Sequence, residues 1–164
     1  MKKNSLFIIS VLSALCFTSC QDYSQPIRID NKNFELTLPG FVKEEDLAED
    51  AVVEYANRFR NFYIVVFQLK DSITRDSLWV ETTQRLTKSL AEHKIDTLLR
   101  GPDQIITTIK GKFKDEKEPI IYTQKLIYQQ GNSLLITVWT RGQERYKKYE
   151  TEIGNIVSSF KPKA

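Results

Sequence analysis

The chain has 164 residues, with 24 Lys and Arg, 21 Asp and Glu, one histidine and two cysteines. Such counts exclude a framework of several disulfides and a histidine-rich zinc site. The length leaves room for one domain, and the formal charge of +3 is too small to argue for non-specific nucleic-acid binding.

Met1-Lys2-Lys3-Asn4 places two positive charges ahead of an uncharged apolar run, LFIISVLSALCF, from Leu6 to Phe17. As a helix this run would extend roughly 18 Å. A hydrocarbon core is about 30 Å thick, so the run is short for a membrane span. Charge followed by a short apolar run is the layout of a secretory signal. Phe17-Thr18-Ser19-Cys20 ends it, and this tetrapeptide resembles the lipobox of bacterial lipoproteins. Phe17 departs from the aliphatic residue usual at the first position. The resemblance implies cleavage between Ser19 and Cys20 and lipidation of Cys20. Several acyl chains would hold the protein stably on a membrane, each buried CH₂ contributing about 0.8 kcal/mol. Removing residues 1–19 also removes Lys2 and Lys3, so Lys plus Arg falls from 24 to 22 against 21 acids. With Cys16 discarded and Cys20 acylated, no free thiol remains.

Residues 20–27 are expected to be the lipidated end and a polar tether, and residues 28–164 one α+β domain. Phe34-Glu35-Leu36-Thr37-Leu38 alternates as a half-buried strand and stops at Pro39-Gly40. Ala51 to Phe59 and Phe62 to Leu69 form the next pair, with Arg60-Asn61 as the turn. FYIVVFQL is apolar enough for a strand covered on both faces. Asp76 or Ser77 can cap a helix whose inner face is Leu78, Thr82, Leu86 and Leu90, with Trp79 beside it and Glu92-His93-Lys94 closing it. Three strands follow, Gln104 to Phe113, Ile120 to Tyr128 and Ser133 to Thr140, the last two joined by a Gln130-Gly131-Asn132 turn. Gln143 to Phe160 reads as one amphipathic helix through Tyr146, Tyr149, Ile153, Ile156 and Phe160. Gly154 inside it would mark close packing on the sheet. Short connections imply antiparallel pairing, so the expected architecture is an antiparallel sheet with two main helices packed on it.

Leu38-Pro39, the central YIVVFQL, the long helix, the IKGKF strand and a last helix ending in Ser159-Phe160 are similar to the PsbP-like superfamily. That group takes in the DcrB-like envelope lipoproteins and a yeast Ran-binding nuclear import factor. The resemblance implies an α/β/α sandwich and a binding role without catalysis. It names no partner, since one fold serves many functions.

Chemistry is thin in the residues themselves. His93, alone of its type, reads as a histidine at a helix C-terminus, where a positive charge suits the dipole. Glu44-Glu45-Asp46-Leu47-Ala48-Glu49-Asp50 is densely acidic but lacks the spacing of a calcium loop. No catalytic set or metal site emerges and no cofactor is implied, so a non-enzymatic role is expected. Lys110, Lys112 and Lys114 alternate on one strand, and Arg141 and Arg145, with Lys147 and Lys148, form a second basic cluster. These are the candidate interaction surface. Two readings stay open: a surface for acidic partners such as lipid headgroups, or lysines that keep a sheet edge from pairing. Trp79, Trp139, Tyr122 and Tyr128 could line a ligand groove or fill the core. The sequence thus points to an envelope lipoprotein held on a membrane through Cys20 and binding a protein partner. A small-ligand or metal-binding lipoprotein is the alternative. Gln21, rather than an acid, follows Cys20. This favours the outer over the inner membrane by resemblance to enterobacterial sorting.

Overall fold

The computed structural model describes residues 25–70 and 73–163; the expected signal, the expected lipobox at Cys20 and residues 21–24 of the expected tether lie outside the described residues. In chain order the elements are β1 (Ile27–Asp30), β2 (Phe34–Leu38), β3 (Val42–Glu44), β4 (Ala51–Asn57), β5 (Phe62–Leu69), α1 (Arg75–Thr87), β6 (Glu92–Arg100), β7 (Gln104–Lys112), β8 (Ile120–Ile127), β9 (Ser133–Arg141), α2 (Gln143–Lys148), α3 (Glu150–Ser159) and β10 (Lys161–Pro162). The α+β class is as expected. The strands form two antiparallel sheets, not one. A seven-stranded sheet runs β3-β4-β5-β9-β8-β7-β6, and a three-stranded sheet runs β1-β2-β10.

Alternation along the central strands builds two cores. Phe62, Ile64 and Val66 of β5 pair with Thr140, Val138 and Ile136 of β9. Their side chains meet Phe34, Leu36 and Leu38 of β2 and Ile153, Ile156 and Val157 of α3. The other face takes α1. Leu78 packs on Leu126 and Leu135, and Leu86 lies against Leu90, Ile109, Ile120 and Tyr122. β5 is therefore covered on both sides, as its apolar run requires.

Several local readings change. Thr74, not Asp76 or Ser77, caps α1, its hydroxyl accepting from the Ser77 amide at 3.4 Å. The helix ends at Thr87, and Glu92-His93-Lys94 begins β6 instead of closing a helix. β6 escapes a sequence reading because none of its residues is buried; pairing with β7 alone makes it a strand. β4 stops at Asn57. The Asn57 carboxamide accepts from the amides of Asn61 at 3.0 Å and Phe62 at 3.2 Å, closing the hairpin over Arg58–Asn61. Arg60, not Asn61, takes the left-handed conformation, at φ 50°.

The terminal helix breaks at Tyr149 (φ −103°, ψ 10°) into α2 and α3. Tyr149 packs its ring against Phe41 and Phe62, at 5.5 and 4.9 Å between centroids. The kink accompanies that ring cluster on one side and the buried Ile153-Ile156-Val157 face of α3 on the other. Gly154 is exposed on α3 and does not mark close packing: a Cβ there would meet nothing within 4 Å. Gly154→Ala should raise stability by about 0.5–1 kcal/mol through the smaller entropy of the unfolded chain. A lowered urea midpoint would contradict the free space around the site.

Candidate interaction surface

The strand ends bring the five predicted interaction residues to one end of the large sheet. Lys110 and Lys112 close β7, Lys114 opens the loop to β8, Arg141 ends β9 and Arg145 lies in the first turn of α2. Register makes this unavoidable: Gly111 faces Ile120, and Ile120 faces Arg141. The five do not form one free cationic patch. Arg141 pairs with Glu116 at 3.0 Å and Arg145 with Glu118 at 2.6 Å. Gly142 donates to the Pro119 carbonyl at 2.7 Å, and Lys110 to the Gln143 side chain at 2.7 Å. The arginines thus hold the β7–β8 loop against the start of α2. Exposed pairs of this kind contribute about 0–1 kcal/mol each, so they set geometry more than stability. Lys112 and Lys114 are left facing solvent or half-buried.

His93 is not at a helix end. It sits on β6 opposite Gly111 and lines a recess of about 280 Å³ with Glu92, Lys94, Lys110, Lys112 and Pro119. Among the described residues no three His, Cys, Asp or Glu side chains converge as metal ligands. The acidic segment has a structural explanation. The Glu54 carboxylate accepts from the amides of Leu47 and Ala48 and pins the loop over β4. Glu45 is held below the usual carboxylate range by hydrogen bonds from Lys43 and then Arg60.

The four aromatic candidates fill the layer under α1 and do not converge on a groove. Trp79 donates to Thr107 at 3.0 Å. Trp139 stacks on Tyr63 at 5.0 Å and tilts against Tyr122 at 6.1 Å. Burial pushes the Tyr122 hydroxyl up to about 12, against the opposing pull of Arg141. Tyr128 donates to the Ile73 carbonyl at 3.1 Å.

The long edge of the large sheet was not legible in the sequence. The large sheet has two edges, and β3 is only three residues long, a short edge that discourages pairing. β6 is nine residues long and exposed throughout. Ile95, Leu98 and Leu99 are exposed on it, Leu98 at 63%. A register shift between Thr97 and Leu99 interrupts its pairing with β7. Its ends are anchored. Arg100 pairs with Asp76 at 2.8 Å and lies over the Trp79 ring at 5.5 Å, while Leu90 seats so closely on Gly111 that a Cβ there would stand 2.3 Å away. The edge between is therefore held in place, and no strand among the described residues pairs with it. Its only sequence signal is the Ile95-Leu98-Leu99 triplet among charges.

No protein-family model and no curated protein sequence matches the chain. Solved structures do. The Ran-binding protein Mog1p of Saccharomyces cerevisiae superposes with a TM-score of 0.61 at 11% identity, over 84% of this chain and 95% of that one. The cyanobacterial PsbP of Synechocystis sp. PCC 6803 gives 0.55 at 13%, over 85% and 94%. LpqN of Mycobacterium tuberculosis, a protein involved in cell envelope biogenesis, gives 0.54 at 12%, over 85% and 91%. At these identities the likeness is one of fold, and the fold of this chain is the PsbP-like α+β sandwich.

Proposed function

We propose that the protein is a bacterial envelope lipoprotein, anchored through Cys20 on the outer membrane, whose PsbP-like domain binds a protein partner without catalysing a reaction. The anchor rests on the run from Lys2 to Cys20. The binding role is supported by one observation above the others, the long open edge of β6. Main-chain donors and acceptors that no strand among the described residues pairs with, beside exposed Ile95, Leu98 and Leu99, suit a partner that adds an extended strand. That two proteins of this fold are described as Ran-binding and as involved in envelope biogenesis is in keeping with such a role.

Two measurements test the two halves. Cells fed a labelled fatty acid should incorporate it into the wild-type chain, which sediments with membranes. Cys20→Ala should lose the label and leave the tightly bound membrane fraction. Unlabelled, uncleaved wild type would overturn the anchor. A photo-crosslinking residue in place of Leu98 should give one discrete adduct in membranes, and the same residue in place of Val80 on α1 should not. Absence of an adduct at Leu98 would remove the edge from the reading.

A further inference from the structure

The β4–β5 hairpin carries the most exposed large apolar side chain among the described residues, Phe59 at 78%. An isolated exposed aromatic needs no explanation, but three features meet here. First, the turn is rigid. Asn57 closes it with three hydrogen bonds, and Arg60 is fixed by pairing with Glu45 at 2.8 Å. A braced turn that any polar residue could occupy instead holds a phenyl ring in water.

Second, cations flank the ring. Arg58 and Arg60 neighbour it in sequence and are exposed, and Arg58 makes no ion pair or side-chain hydrogen bond among the described residues. Lys43 stands near through the shared Glu45, which it meets at 2.8 Å. Of these charges only Glu45 is acidic, and it accepts from both Lys43 and Arg60.

Third, the tether leaves from this end. Ile27 at the start of β1 faces Leu38 at the end of β2. A tight turn, with the Val42 amide on the Pro39 carbonyl at 3.3 Å, leads into Val42, which faces Asn57. The first residue of the fold and the Phe59 tip therefore lie on the same side. Six residues, Gln21 to Pro26, separate Cys20 from Ile27, and they reach about 20 Å fully stretched. A chain anchored at Cys20 would keep this end nearest the bilayer.

The geometry points to a membrane-docking tip: Phe59 enters the headgroup boundary of an anionic bilayer, with Arg58 on lipid phosphates. The inference rests on the lipoprotein reading for its orientation. A ring at the acyl boundary with guanidinium groups beside it is the arrangement that lets apolar burial and anionic lipid act together. It would give the anchored domain a fixed orientation, with β6 at the far lateral edge of the sheet left open.

The test uses the full chain purified from membranes and reconstituted in vesicles, with an environment-sensitive fluorophore on Phe59→Cys and, as a control, on Leu98→Cys. The vesicles are phosphatidylcholine alone or phosphatidylcholine with phosphatidylglycerol. Support is a blue shift and a severalfold loss of iodide quenching at position 59 in anionic vesicles only, with position 98 unchanged. Arg58→Glu should weaken that shift, by roughly fivefold in partitioning for each charge lost. Protein that floats with the vesicles while both labels stay equally quenched overturns docking and leaves the anchor standing. Protein that carries no lipid and does not float overturns the anchor. The label is then read on a Cys16→Ser, Cys20→Ser chain with the same vesicles added, where a shift still supports docking and its absence overturns it. A label at 59 shielded equally without vesicles means the tip is covered by protein, and that too overturns the proposal.

Discussion

Phe160→Ala should lower the unfolding free energy by about 3–5 kcal/mol, the usual cost of emptying a buried aromatic site. Phe160 is 0% exposed. Its ring meets Phe34 edge-on at 5.4 Å, so it joins the small sheet to the last helix. Its backbone also has duties: the amide donates to the Ile156 carbonyl at 3.1 Å, and the carbonyl accepts from Lys125 at 2.8 Å. Next to it, the Ser159 hydroxyl accepts from the Thr37 amide at 3.0 Å and so extends the β2–β10 pairing. Ser159-Phe160 thus joins the end of α3 to β2, the strand that runs into Leu38-Pro39. Urea denaturation of wild type and variant checks this. A loss below about 1 kcal/mol would mean that the site collapses and the junction is not tightly packed.

Lys125→Met should cost about 1–3 kcal/mol near neutral pH by stranding two buried carbonyls. Lys125 lies in β8 and is 7% exposed. Its amine donates to the carbonyls of Val157 at 3.0 Å and Phe160 at 2.8 Å, closing the C-terminal end of α3 in the way a cation suits a helix C-terminus. Burial, with Lys161 adding repulsion, pulls its pKa below the usual lysine value. The sign follows from linkage. Between the lowered folded pKa and the ordinary unfolded one, the unfolded chain binds more protons, so this group makes stability rise with pH through that window. A neutral amine still has two N–H donors for the two carbonyls. The wild-type advantage over Lys125→Met should therefore widen as pH rises from neutrality toward the ordinary lysine range, and the difference between the two proteins cancels the other titrating groups. Urea midpoints across that range check it. A gap that stays constant or narrows would show that the amine is charged throughout and solvated.

How far the sequence reaches can be seen element by element. β2, β5, β7 and β9 were legible because each buries at least one alternating face, and α1 was legible through Leu78, Thr82 and Leu86. β6 was not, because a strand without a buried face has no apolar period to read; the edge of β7 makes it a strand. Lys125 gave no signal because alternation in IIYTQKLI cannot tell which cation a helix end will cover. Among the candidate surface residues the basic character of Arg141 and Arg145 was legible, but their engagement by Glu116 and Glu118 was not, since the acids come from a loop whose path depends on the β7–β8 register.

By itself the amino-acid sequence determined the α+β class, the antiparallel pairing and the apolar faces, because these follow from short connections and local period. Only the tertiary structure decided which surfaces stay open. Covering a face or leaving an edge bare depends on contacts between residues far apart in the chain. In this way Phe59 came to stand at the end of the fold where β1 begins, β6 came to stand at an edge of the large sheet, and Lys125 came to lie inside.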